Sequence, residues 1–208
     1  MLITGFGSFM NVSDNPSGRI ARALSTHFAD RHEVSLLELP VSYSEVQKLL
    51  SGALHVSQWD VVVLLGVAGR SRKIRMERVA RNQVDQTLKG SDGKLSAHSV
   101  IMEGSPDRLT TNVPIDALLP PQDALRNSFR ISTDAGQYLC NYAYYLALQA
   151  SLAENSECWT IFIHIPPDEK TFAEGNRSGS MWNSADLQAQ VELMVERILA
   201  LKPKSTSA

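Results

Sequence analysis

Two of the 208 residues are cysteines, and one of them, Cys140, stands inside DAGQYLCNYAYYLALQAS, Asp134 to Ser151. Gly136 lies just upstream, where a turn gives way to a long apolar run that reads as a helix. A cysteine at that point can do chemistry. Free N–H groups at a helix N-terminus and the partial positive charge there favour a thiolate, the reactive form. The same N–H groups could hold the oxyanion of a tetrahedral intermediate. Cysteine is also a small residue that is often simply buried, and local context leaves both readings open.

His164, in FIHIPPDE, is the candidate base. It ends a strand-like run just before two prolines that force the chain out of the sheet, and such strand ends carry the active crevice of open α/β sheets. A satisfied core histidine would read the same way. His27, His32 and His55 lie in surface-like contexts, and His98, in an irregular segment, is the second choice. A Cys–His pair needs a third group to orient the imidazole. Glu77, in MERVARN, follows the third strand closely, yet it is one of many carboxylates and spacing alone does not choose it. Cys158 reads as a structural thiol.

The elements that must position these groups alternate between strand and helix. Leu2 to Phe6, Val34 to Pro40, Val61 to Val67 and Trp159 to Ile165 read as strands, and Arg130 to Ser132 begins another. The continuous run VVVLLGV suits a strand covered on both faces. Asn15-Pro16 is a helix start, with Ile20, Leu24 and Phe28 on one stripe. Val46, Leu49, Leu50, Ala53 and Leu54 mark a second helix, Gln122 to Phe129 a short one, and Ala185 to Leu201 the last. Cys140 to Leu152 has almost no polar face and should be central. Asn82 to Pro121 is turn-rich, with KGSDGK and MEGSPDR, and suggests a hairpin or long loops. The KPKSTSA end reads as a frayed tail. The expected architecture is a single three-layer α/β/α domain over residues 1–208, with an open, twisted, mostly parallel central sheet.

Composition narrows the classes. Hydrophobic residues make up 43% and charged residues 20%, and the net charge of −2 gives no reason to expect nucleic acid or an anionic membrane surface. GRSRKIRMERVAR, Gly69 to Arg81, gathers basic residues and reads as a solvated, locally basic segment rather than an anion site. No apolar run approaches the ~20 residues of a membrane span. Two cysteines make no disulfide framework, and MLITGF enters a strand directly, so a reducing cytoplasm is the expectation. GFGSF lacks the G-x-G-x-x-G spacing of a dinucleotide loop.

With MLITGFGSF…NPS, LLGVAGR…MERVARN, DAGQYLCN and FIHIP in that order, the chain resembles the pyroglutamyl peptidase I family, from Leu2 to about Pro166. The resemblance implies a Cys140–His164–Glu77 triad and hydrolysis of an N-terminal pyroglutamate from peptides through an acyl-enzyme, with no metal or organic cofactor. It also implies a lactam pocket formed by Phe6, Phe9, Asn15, Val67 and Leu139, and it is compatible with a homo-oligomer. Several positions depart from the family. GFGSFMN stands for G-F-D-P-F-G-G, Val67 for a glutamine, and Tyr142 for a common histidine. QVDQTLKGSDG matches R-I-P-D-N-E-G only at Asp92-Gly93. Two alternatives follow: a thiol hydrolase with a shifted acyl preference, or a catalytically silent α/β binding domain.

Overall fold

The computed structural model describes residues 1–8, 14–56, 58–119, 127–154, 157–172 and 182–203, with the side chains of residues 154 and 172 excepted. Its elements run β1 (Leu2–Phe6), α1 (Pro16–Phe28), β2 (Ser35–Leu39), α2 (Tyr43–Val56), β3 (Val61–Val67), β4 (Ile74–Glu77), β5 (Val79–Arg81), β6 (Arg108–Thr110), α3 (Ile115–Leu118), β7 (Phe129–Ser132), α4 (Leu139–Glu154), β8 (Trp159–Ile165), α5 (Glu169–Phe172) and α6 (Ser184–Leu201). Six strands form the main sheet in the order β2-β1-β3-β8-β4-β7. The pairs from β2 through β8 are parallel, β4 runs antiparallel to β8, and β7 is parallel to β4. The sheet is therefore mixed and mostly parallel, as expected.

Helices cover both faces because the strands are apolar on both. Ile161, Ile163 and Ile165 of β8 pack with Ile20 and Leu24 of α1 and with Leu187, Val191 and Met194 of α6. Phe162, one residue out of phase, packs on the opposite face with Tyr144, Tyr145 and Leu148 of α4 and Leu50 of α2. Strand period two thus sorts each residue to a layer. Helix starts follow their caps. Asn15 Oδ1 accepts from Ser17 N at 3.0 Å, with Pro16 at the first helical position, and Asn183 Oδ1 accepts from Ala185 N at 2.8 Å.

Two sequence expectations need correction. The basic segment Gly69–Arg81 is not simply solvated: Ile74–Glu77 is an interior strand, with Ile74 and Met76 fully buried. The apolar residues alternate with Arg75 and Glu77, whose charges pair on the opposite face, at 2.8 Å. Pairing removes the cost that made a charged strand seem improbable. Phe129, expected to end a helix, opens β7 instead, while residues 122–126 of that expected helix lie outside the described residues.

The turn-rich stretch after Asn82 supplies β6, which pairs with β5 as an antiparallel ribbon, plus the single turn α3. Asn82 organises its interior: its Oδ1 accepts from Ile101 N at 3.0 Å and Met102 N at 2.9 Å. Tyr138 donates its hydroxyl to Lys89 O at 2.7 Å, and Ser91 N donates to Val41 O at 2.7 Å. These bonds fold the 85–94 stretch over the start of α4.

Candidate active site

Glu77 ends β4 and His164 lies next to the last residue of β8, on neighbouring antiparallel strands. His164 Nδ1 lies 2.8 Å from Glu77 Oε1, with His164 5% exposed and Glu77 fully buried. A carboxylate at Nδ1 holds the proton there and leaves Nε2 with a free lone pair, the form a general base needs. Phe162 packs against the imidazole, with ring centroids 4.6 Å apart, and limits its rotation.

Cys140 arrives from α4. Its approach is set by a tight turn: Gly136 has φ +84° and donates its N–H to Asp134 Oδ1 at 3.0 Å. That left-handed conformation favours glycine. Tyr142 N donates to Tyr138 O at 3.0 Å, so Tyr138 begins the helical ladder and Cys140 falls in the first turn, among the donors without intrahelical acceptors. The thiol is seated on β3. A Cβ at Gly66 would stand 2.8 Å from Cys140 Sγ and 2.7 Å from Phe162 Cζ. Gly66 is the register partner of His164, so the sulfur lies over the strand position beside the imidazole. Only glycine leaves that space.

The residue is partly exposed, yet its thiol sits among protein groups. Burial pushes its pKa up to about 12; the nearby Glu77 carboxylate acts in the same direction and Arg75 partly opposes both. A thiol in that setting needs a base to take its proton before the sulfur can attack a carbonyl. Cys158 is buried with Ser151 and Thr160 beneath the sheet face, with Sγ 3.7 Å from Ser151 Oγ. The two cysteines are free thiols.

The pyroglutamyl peptidase family model matches residues 1–199. The chain belongs to that family. It is 34% identical over 166 residues to a pyrrolidone-carboxylate peptidase of Thermococcus onnurineus, covering 80% of this chain and 82% of the relative. With the corresponding enzyme of Pyrococcus furiosus it shares 29% over 206 residues, covering 96% and 99%. The crystal structure of a pyrrolidone carboxyl peptidase from Fervidobacterium islandicum superposes with a TM-score of 0.84 at 30% identity, over 96% of this chain and 97% of that one. The fold and the enzyme class follow: an α/β cysteine peptidase of pyroglutamyl peptidase I type.

The structure also distributes the expected pocket residues. Phe6 (5% exposed) and Leu139 (1%) pack in the α2/α4 layer, where Cys140 also packs. Val67 packs into the opposite layer, so its side chain faces away from the sulfur and only its backbone borders that end of β3. Asn15 is occupied as the α1 cap, and its Nδ2 donates to Gly7 O at 2.9 Å, holding the loop after β1. Phe9 lies outside the described residues. Tyr142, where the family commonly has histidine, donates its hydroxyl to Gln47 Oε1 at 3.1 Å and packs edge-on against Tyr43.

Three further residues escaped the sequence reading. Gly66 gives the thiol its seat. Asn141 clasps β5, accepting from Arg81 N at 2.8 Å and donating to Arg81 O at 2.8 Å and Gln83 O at 3.0 Å. Arg75 contacts Glu77. The alternation in IRME was a readable signal for the last; nothing local marks the others.

Proposed function

We propose that this chain hydrolyses the bond between an N-terminal pyroglutamyl residue and the rest of a peptide, by a Cys140–His164–Glu77 triad. The observation carrying the reading is the 2.8 Å contact of His164 Nδ1 with buried Glu77 Oε1, beside a thiol seated over the register partner of His164. Family membership supports the substrate class.

In this mechanism His164 Nε2 takes the Cys140 proton as Sγ attacks the pyroglutamyl carbonyl carbon. Glu77 accepts from Nδ1–H and stabilises the imidazolium that forms. Free N–H groups of the first turn of α4 hold the oxyanion. The C–N bond breaks, the departing amine takes the proton from His164, and a thioester remains. Water, deprotonated by His164, adds to the thioester; the C–S bond breaks and pyroglutamate leaves as Cys140 regains its proton. Phe6 and Leu139 wall the neutral lactam, Asn15 acts through the Gly7 loop, and Val67 contributes backbone. Two free thiols suit a reducing, cytoplasmic setting.

The test is release of a fluorescent amine from a pyroglutamyl amide by wild type and Cys140→Ser, with iodoacetamide as control. Turnover lost in both treatments is expected. Wild type inactive on that amide but active on a prolyl or glutaminyl amide would transfer the triad to a different acyl group. No turnover, with Cys140 and Cys158 alkylating alike, would end the peptidase reading.

A further inference from the structure

Arg75 is the one cation in direct contact with the triad among the described residues, and it connects the two halves of the site. The acid–base half, Glu77 and His164, is carried by adjacent strands β4 and β8; the nucleophile comes from α4 across the β7–α4 turn. Arg75 Nη2 lies 2.8 Å from Glu77 Oε1, the same oxygen that meets His164 Nδ1. It also donates to Ser132 Oγ at 3.0 Å, at the end of β7, and to Asp134 O, in the turn that follows towards Cys140. Register places it there. Arg75 is the cross-strand partner of His164 on one side and of Arg130 on the other, and Glu77 partners Ser132, so all face one layer.

Glu77 needs such a partner. The residue is fully buried, and its second oxygen, Oε2, has no hydrogen-bond partner. A buried carboxylate needs a compensating charge or hydrogen bonds to its oxygens. Of the other groups on this face, Arg130 is solvent-exposed and makes no ion pair with Glu77 among the described residues, Tyr144 of α4 donates its hydroxyl to the Glu77 backbone carbonyl at 2.8 Å, and the Cys140 thiol carries no positive charge in either protonation state.

We propose that Arg75 is a positioning residue of this enzyme: it supplies the counter-charge to buried Glu77 beside His164 and, through Ser132 and Asp134, ties the height of Cys140 to the strand that carries Glu77. The guanidinium side chain is 25% exposed, so it can take its charge from the solvent boundary while its Nη2 reaches inward. Two effects separate the role from simple packing. The charge acts on the Cys140 thiol, whose pKa it lowers against the effect of burial, and the tether acts on nucleophile placement, where a shift of ~1 Å costs about 10²-fold in rate.

Turnover in the test relies on the proposed peptidase activity; alkylation does not. Arg75→Gln keeps a donor and removes the charge, whereas Arg75→Lys keeps the charge. Each is compared with wild type in kcat and KM on a pyroglutamyl amide, and in iodoacetamide alkylation of Cys140 against pH, with Cys158 as internal reference. We expect Arg75→Gln to lose about 10²-fold in kcat with little change in KM, to move the alkylation profile to higher pH, and Arg75→Lys to recover most of both. Wild-type kcat and an unmoved profile in Arg75→Gln would overturn the inference. So would equal losses in both variants accompanied only by lower melting temperatures, which is the signature of a structural contact. If Arg75→Gln does not fold, the lysine variant decides by itself: a wild-type alkylation profile with measurable kcat upholds the charge role, and a shifted profile overturns it. Should wild type fail to cleave the amide, the peptidase reading falls while the alkylation profiles still judge Arg75.

Discussion

Gly66→Ala is the smallest change that tests whether the Cys140 sulfur is seated on β3. The added methyl would stand 2.8 Å from Cys140 Sγ and 2.7 Å from Phe162 Cζ, with Phe162 Cε1 at 3.0 Å. Ordinary contacts between carbon-sized atoms fall at roughly 3.5–4.0 Å, so sulfur and ring must each retreat by roughly 1 Å. Phe162 is fully buried and already packed against Tyr144 and His164, so the ring has nowhere free to go. Overpacking of this kind costs about 1–3 kcal/mol. Replacing a strand glycine ordinarily returns about 0.5–1 kcal/mol of backbone entropy. The clash wins, and a net loss near 1–2 kcal/mol corresponds to a fall of roughly 2–8 °C in Tm for a chain of this size. Activity should suffer more than stability, because a misplacement of ~1 Å at the nucleophile costs about 10²-fold. Gly52→Ala is the matched control. It lies in α2 with nothing within 4 Å of the added carbon, and it should raise Tm slightly without touching turnover. The assay pairs amide hydrolysis with thermal unfolding for both variants. Wild-type turnover and alkylation rate in Gly66→Ala would refute the packing argument outright.

Other outcomes follow from the same geometry. Glu77→Gln preserves the shape of the buried group but removes the charge facing His164 Nδ1, so kcat should fall by roughly 10³–10⁴-fold, with KM nearly constant in steady-state kinetics; a loss below tenfold would remove Glu77 from the mechanism. Asp168, just after the Pro166-Pro167 exit from β8, is fully buried and pairs with Arg19, Ser184 Oγ at 2.6 Å and Thr171 Oγ1 at 2.7 Å. Burial by itself would raise its pKa, but the Ser184 and Thr171 hydrogen bonds and the Arg19 charge together hold it below the usual carboxylate value. Its folded pKa is depressed, so its stabilisation is fully present above the unfolded value near ~3.9 and disappears as pH falls through the folded value. Asp168→Asn should therefore cost about 3 kcal/mol at pH 7, with the gap to wild type closing below roughly pH 4 in denaturant titrations. A gap that stays constant down to pH 3 would contradict the ionic account.

Much of this protein can be read from its sequence by periodicity and chemistry. VVVLLGV is apolar at every step and WTIFIHI at all but Thr160 and His164, the pattern of strands covered on both faces, and the Asn15-Pro16 cap starts a helix by local hydrogen bonding. Cys140 at a turn-to-helix junction and His164 before two prolines are visible because both signals are local along the chain. Glu77 was legible only through resemblance, since many carboxylates fit the spacing, and a charged run around it hid the strand. What tertiary structure decided is which distant residues become neighbours. Antiparallel pairing of β4 with β8 brings Glu77 to His164 across 87 positions, and sheet period two puts Arg75 on their face while turning Val67 to the other. The seat at Gly66 exists only where α4 crosses β3, because a missing Cβ has meaning only against the atoms that fill its space.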